Sequence, residues 1–162
     1  MLRNYVILCY APQTGPKNMK CYTFLLTACL LICLPTAAWA ETYAPQKVVY
    51  HVNYADESRI NATFNNINNH LAAVDEDQLD IKVVIHGPSL EYFISATSDS
   101  TKQITLDNLK LRDVQFLICG NTIAAYQLTV GDLYDVAEED VVMAGLPAIV
   151  ALQQQGYIYL RP

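Results

Sequence analysis

Short runs rich in Val and Ile alternate with longer segments of helical periodicity, and this alternation constrains the fold more than any other feature. Five such runs predict β-strands, at residues 47–54, 81–86, 114–118, 141–144 and 157–160. Apolar runs without regular polar alternation are typical of strands buried on both faces, as in parallel sheets. The sequence therefore predicts an α/β protein, a three-layer α/β/α sandwich with a mainly parallel five-stranded sheet.

The segment after the first strand predicts a long amphipathic helix, because its apolar residues recur at steps of three and four. They are Ile60, Phe64, Ile67, Leu71 and Val74. The asparagines between them and His70 are assigned to a solvent-facing side, and His70 is given no role. Further helices are predicted after Ser89, which is taken as a cap, at residues 102–110, after residue 119, and from Gly145 to residue 155.

The first 40 residues have the three-part layout of a secretory signal. Basic residues precede an apolar run at residues 23–34, no acidic residue occurs, and small residues end the segment at Ala38 and Ala40. Residues 1–40 are therefore predicted to be a cleaved signal segment, in which Met19 is the true start or residues 1–18 form a long basic N-terminal region. Residues 41–162 are predicted to form a single domain in the periplasm or outside the cell.

Two other interpretations of residues 1–40, a membrane anchor and a lipidation signal, have weaker support. A transmembrane anchor requires roughly 20 apolar residues, and the run at residues 23–34 is shorter than that. The motif from Leu26 to Cys29 resembles a lipobox, which would place lipid on Cys29, but it falls too early in the apolar run. Cleavage after Ala40 and no membrane contact afterwards are the favoured predictions.

Removing the segment makes the domain more acidic. The whole chain has a formal net charge of −6, and the first 40 residues contain three basic residues and no acidic one, so the remainder has −9. A charge of this sign disfavours nucleic acid and anionic membranes as partners.

Cysteine usage leaves a single thiol in the domain. Four of the five cysteines fall within residues 1–40, and Cys119 is the fifth. An intrachain disulfide in the domain is therefore excluded. A lone thiol in an oxidising compartment requires an explanation.

The predicted strand ends bring candidate site residues to one crevice, since ligands of such folds bind at the carboxyl ends of the strands. The first strand contributes His51 and Asn53, the second His86 and Gly87, and the third the segment from Cys119 to Thr122. Cys119 precedes a predicted helix N-terminus, which stabilises a thiolate. Gly120 would permit close approach, Asn121 would cap the helix, and Thr122 would add a hydroxyl, so the turn could bind an anion.

Other chemistries find little support in the sequence. A buried, inert Cys119 is as good an interpretation as a reactive Cys119, because free cysteine is among the most buried residue types. Copper or zinc on Cys119, His51 and His86 has suitable ligand types but no close spacing, so no metal is predicted. Walker, dinucleotide-binding and serine-elbow motifs are absent, and no cofactor is predicted.

Three short motifs together resemble the DsrE/DsrF-like family. They are the segments at residues 116–122 (FLICGNT), 86–88 (HGP) and 152–157 (LQQQGY). The resemblance covers nearly all of the domain. The chain is similar to exported members of the family that have a single cysteine. The resemblance implies a parallel-sheet sandwich that assembles as trimers or hexamers, and a link to sulfur-relay proteins that carry persulfide on cysteine. That role would fall to Cys119.

The leading functional hypothesis is an exported sulfur-handling or thiol-binding protein that holds a persulfide or mixed disulfide on Cys119. It would be a carrier more than an enzyme, with a small sulfur species or a thiol protein as its partner. The alternative is a non-catalytic oligomeric module that binds a small ligand, in which Cys119 is buried and inert.

Overall fold

The structure is a computed structural model that describes residues 43–162, and its centre is a five-stranded sheet. The strands are β1 (Gln46–Val52), β2 (Leu79–Ile85), β3 (Gln115–Cys119), β4 (Val141–Val142) and β5 (Ile158–Leu160). Their order is β4-β3-β2-β1-β5, and every neighbouring pair is parallel. The predicted signal segment and its cleavage point lie outside the described residues.

Three strands end side by side at one edge of the sheet. Val52 at the end of β1 is paired with Ile85 of β2, and Ile85 is paired with Ile118 of β3. Val83, Val84 and Ile85 are all buried, so β2 is covered on both faces, as its unbroken apolar run predicts. The residues that follow these strands therefore share one edge.

Five helices connect the strands: α1 (Glu57–Ala73), α2 (Glu91–Ala96), α3 (Ser100–Lys110), α4 (Gly120–Ala125) and α5 (Gly145–Gln154). The two longest begin at an aspartate whose carboxylate accepts from backbone N–H groups. Asp56 accepts from Ser58 and Arg59, and Asp99 accepts from Thr101 and Lys102. These contacts satisfy donors that have no partner within the helix.

The main core lies between one face of the sheet and α1 to α4. The predicted stripe of α1 is buried there, including Phe64 and Ile67. Phe64 and Phe93 each meet the Phe116 ring edge to face, at centroid distances of 5.8 and 5.4 Å. Aromatic packing of this kind fixes the helical layer on β3.

The opposite face is covered by α5. Ile149 and Leu152 of this helix are buried with Val49 and Val84 of the central strands and with Tyr157. Within residues 43–162, this smaller cluster and the main core enclose the sheet between two helical layers. The predicted three-layer α/β fold with a parallel five-stranded sheet is confirmed.

Local details differ from the sequence predictions. Ser89 is not a helix cap but lies in a 3₁₀ turn (Gly87–Leu90), where its hydroxyl donates to the carbonyls of Val52 and His86. His70 is not a free polar side chain, because its ring nitrogens bond Tyr50 Oη at 2.9 Å and Gln46 Oε1 at 2.8 Å.

Between α4 and β4 the chain is irregular. It contains 3₁₀ turns at Val130–Asp132 and Glu138–Asp140, for which the sequence pattern predicted no element. Across residues 43–162, every helix is too short or too polar to span a membrane.

Candidate functional site

A cleft of about 460 Å³ opens at the edge where β2 and β3 end. Its volume falls within the range of small-ligand sites. Its lining comes from the ends of β2 and β3, from α4 and from the start of α5. It comprises His86, Cys119, Asn121, Thr122, Ala125, Ala144, Gly145, Leu146 and Pro147. Four of the predicted site residues, His86, Cys119, Asn121 and Thr122, are therefore brought together.

Cys119 is the last residue of β3 and the N-cap residue of α4. Asn121 was predicted as the cap, and that prediction is wrong, because the helix already begins at Gly120 and the Asn121 N–H donates to Met143 O at 3.3 Å. The Cys119 thiol is free and only 6% exposed, although it lines the cleft. Its Sγ accepts from the Gly145 N–H at 3.2 Å.

The pKa of the Cys119 thiol lies below its ordinary value. Burial acts to raise this pKa, but hydrogen bonds from the Thr122 hydroxyl and from the backbone N–H groups of Gly145, Thr122 and Asn121 stabilise the thiolate and outweigh it. The Asn121 N–H makes the smallest contribution to this lowering. A thiolate-favouring setting of this kind raises the nucleophilic fraction at neutral pH.

Thr122 also connects two strand ends. Its Oγ1 accepts from the Gly87 N–H at 3.0 Å, so the turn after β2 is held against α4. Gly87 has a φ of 61°, in the left-handed region that favours glycine. Gly87 therefore lies beside the cleft and contributes backbone geometry to it.

Two glycines allow neighbouring parts of the chain to pack closely around Cys119. A Cβ at Gly120 would lie 3.2 Å from Val142 O, so the absence of a side chain at this position allows α4 to pack on β4. A Cβ at Gly145 would lie 3.3 Å from His86 Cβ and 3.4 Å from Cys119 Cβ. The backbone of Gly145 therefore lies between the side chains of His86 and Cys119.

His51 and His86 form a pair next to the cleft. Their Nε2 atoms are 2.6 Å apart, and the two rings are nearly coplanar and meet edge to edge, with an interplanar angle of 19° and a centroid distance of 4.8 Å. His51 Nδ1 is 2.7 Å from the hydroxyl of Tyr159 in β5. Burial lowers the pKa of His51 to about 4, with smaller contributions from His86 and Arg161, and burial together with Arg161 lowers that of His86.

Asn53 does not line the cleft. Its Oδ1 accepts from Arg161 Nη2 at 2.7 Å and from Nε at 3.2 Å. It thus holds the guanidinium whose charge disfavours protonation of His51 and His86.

Three residues around the site were missed from the sequence: Gly145, Tyr159 and Arg161. Gly145 follows a predicted strand at a predicted helix start, which was a signal that its N–H faces the strand ends. No comparable signal marks Tyr159 or Arg161, because only the position of β5 beside β1 brings them to the histidines. Within the described part of the chain, no three His, Cys, Asp or Glu side chains form a group suited to a metal.

Comparison with protein-family models matches residues 46–162 to the DsrE/DsrF-like family. The chain belongs to this family. DsrE/DsrF-like proteins are associated with sulfur relay in general. A protein of unknown function from Methanobacterium thermoautotrophicum has a similar solved structure, with a TM-score of 0.63 and 28% identity over 72% of this chain and 99% of that chain. No curated protein matches the sequence.

Proposed function

We propose that this DsrE/DsrF-like protein handles sulfur through Cys119, which holds a persulfide or a mixed disulfide. The observation that carries the proposal is the hydrogen bonding of Sγ at the wall of an open cleft, with the Gly145 N–H at 3.2 Å. This environment favours the thiolate, which is the form of cysteine that attacks sulfur.

The chemistry is a transfer between sulfur atoms. The Cys119 thiolate attacks the outer sulfur of a persulfide R–S–SH, the S–S bond of the donor breaks, and R–S⁻ leaves with the electron pair. The product is Cys119–S–SH. An acceptor thiolate then takes the outer sulfur in the same way and restores the Cys119 thiolate, so the protein acts as a carrier.

Thr122, His86 and Asn121 are proposed to orient the bound sulfur, since all three line the cleft with Cys119. The partner is a small sulfur species or a thiol protein. The proposed setting is the periplasm or the outside of the cell, after cleavage following Ala40, and an intact mass that begins at Glu41 would support this setting.

The test is incubation of the protein with inorganic polysulfide, followed by digestion and mass spectrometry. We expect the peptide that contains Cys119 to gain the mass of one sulfur atom and to lose it on treatment with a thiol reductant. Mapping the peptide separates Cys119 from the four cysteines of residues 1–40. The Cys119→Ser variant is the control and gains nothing on this peptide.

A second function is favoured by the low exposure of the thiol, which is 6%. In this alternative the cleft binds a small ligand against its apolar wall of Ala125, Ala144 and Leu146, and Cys119 is inert. Iodoacetamide separates the two functions. Labelling of folded protein near neutral pH supports the carrier, whereas labelling only after denaturation supports the inert module.

A further inference from the structure

Three side chains form a continuous hydrogen-bonded row from the cleft to the protein surface. His86 lines the cleft, its Nε2 is 2.6 Å from His51 Nε2, and His51 Nδ1 is 2.7 Å from Tyr159 Oη. The row crosses neighbouring strands, because β2, β1 and β5 are adjacent in the sheet. Each contact is within hydrogen-bond distance.

Both ends of the row are open to solvent. Tyr159 is 38% exposed at the sheet edge. Among the described residues, His86 Nδ1 has no hydrogen-bond partner, and no buried side-chain nitrogen or oxygen lacks one, so Nδ1 is accessible to water. His51, between these ends, is only 6% exposed.

The rings are in the form that proton conduction requires. Since the pKa of each histidine is lowered, both rings are neutral at pH 7, and each has one N–H donor and one lone-pair acceptor. The positive charge of Arg161, held by Asn53, acts against trapping a proton on either ring. The hydrogen bonds of the row can therefore run in either of two directions, towards Tyr159 or towards the cleft.

We propose that His86, His51 and Tyr159 form a proton relay between the Cys119 cleft and solvent at the sheet edge. In one passage, His86 Nδ1 accepts the proton that the Cys119 thiol releases into the cleft, and His86 Nε2 passes its own proton to His51 Nε2. His51 Nδ1 passes its proton to the Tyr159 oxygen, and the Tyr159 hydroxyl releases one to water. One proton enters, one leaves, and no electron is transferred.

The relay rests on the proposed function for its purpose, since the thiol form of Cys119, which is nearly buried, must lose its proton before it can attack sulfur. The test compares Tyr159→Phe with Tyr157→Phe, a matched control that removes a hydroxyl bonded to Asp80 at the other end of the sheet. The first measurement is the rate at which Cys119 gains sulfur from inorganic polysulfide. The second is the ¹⁵N shift of each histidine ring nitrogen, which reports where its proton resides.

We expect Tyr159→Phe to slow sulfur uptake about tenfold and His86→Asn about a hundredfold, since proton transfer by a positioned side chain contributes about 10²- to 10⁴-fold. Tyr157→Phe should have the wild-type rate. The double variant His86→Asn with Tyr159→Phe should take up sulfur no more slowly than His86→Asn alone, because both substitutions interrupt the same proton path. A wild-type rate in Tyr159→Phe overturns the relay.

The ring-nitrogen shifts separate this proposal from the function of Cys119. If the wild-type protein gains no sulfur, the carrier function fails, but the relay still predicts that Tyr159→Phe alters the proton position on both His51 and His86. Shifts that change only at His51, or at neither ring, show that the three groups do not exchange protons as a unit and reject the relay.

Discussion

Gly145 allows the most direct test of how a single residue sets the chemistry of Cys119. A Cβ in Gly145→Ala would lie 3.3 Å from His86 and 3.4 Å from Cys119, so the neighbours must shift and the N–H···Sγ contact is weakened. We expect the thiol pKa to rise, measured by thiolate absorbance against pH. The control is Gly131→Ala, whose Cβ meets only Thr129 Oγ1 at 3.7 Å. Equal titrations in the two variants would contradict the role of Gly145.

His51 makes the stability of the protein dependent on pH. Its pKa is about 4 in the folded protein against 6.5 in the unfolded chain, so between these values the unfolded state binds more protons. The free energy of unfolding therefore falls as the pH is lowered from 6.5 to about 4. We expect His51→Gln to have a shallower dependence in urea titrations across this window. A slope equal to that of the wild type would show that His51 binds protons equally in the folded and unfolded states and would contradict this prediction.

Single residues also show where sequence reasoning stops. Cys119 and His86 were predicted to lie near each other because each ends an apolar strand, and strand ends of a parallel sheet share one edge. The Gly145 N–H was not predicted as a thiolate donor, because Gly145 is 26 residues from Cys119 in sequence and a backbone donor has no side-chain signature.

At the scale of elements, α5 covers the second face of the sheet, and its first residues line the cleft. Ile149 is 5% exposed in this helix, whereas its neighbour Val150 is 53% exposed. We expect Ile149→Ala to lower the free energy of unfolding by about 2–4 kcal/mol, since it leaves a cavity between helix and sheet. Gln153→Ala, at an exposed position of the same helix, should change it by less than about 0.5 kcal/mol. Chemical denaturation measures both, and equal losses would mean that α5 is not packed on the sheet.

Most elements were predictable because their apolar periodicity matches their burial. The stripe of α1 and the unbroken run of β2 are examples, and both are buried as predicted. The irregular residues 126–140 were not, because turns held by side-chain caps, such as the one that Asp132 makes with Thr129, have no periodicity. The placement of β5 beside β1 depends on the whole sheet, and local pattern does not determine strand order.

For the whole molecule, we predict a homo-oligomer, a trimer or a hexamer. Large apolar side chains are exposed beside the cleft: Met143 is 85%, Leu146 59% and Val150 53% exposed. Leu146 and Val150 are four residues apart in α5 and so lie on one side of the helix. Several exposed apolar side chains close together in the chain are typical of a protein interface.

Light scattering of the wild-type protein tests this prediction, with three or six times the mass of one chain as the expected result. Leu146→Glu places a charge in the apolar surface beside the cleft and should yield monomers. Leu111→Glu is the matched control, because Leu111 is 82% exposed just after α3 and should leave the oligomer intact. Since Leu146 also lines the cleft, we expect a neighbouring chain that packs on Leu146 to cover the cleft. The monomeric variant should therefore react faster with iodoacetamide at Cys119. A monomeric wild-type protein would contradict the predicted oligomer. If both variants dissociate, the effect is not specific to α5, and the assignment of the interface to this helix is wrong.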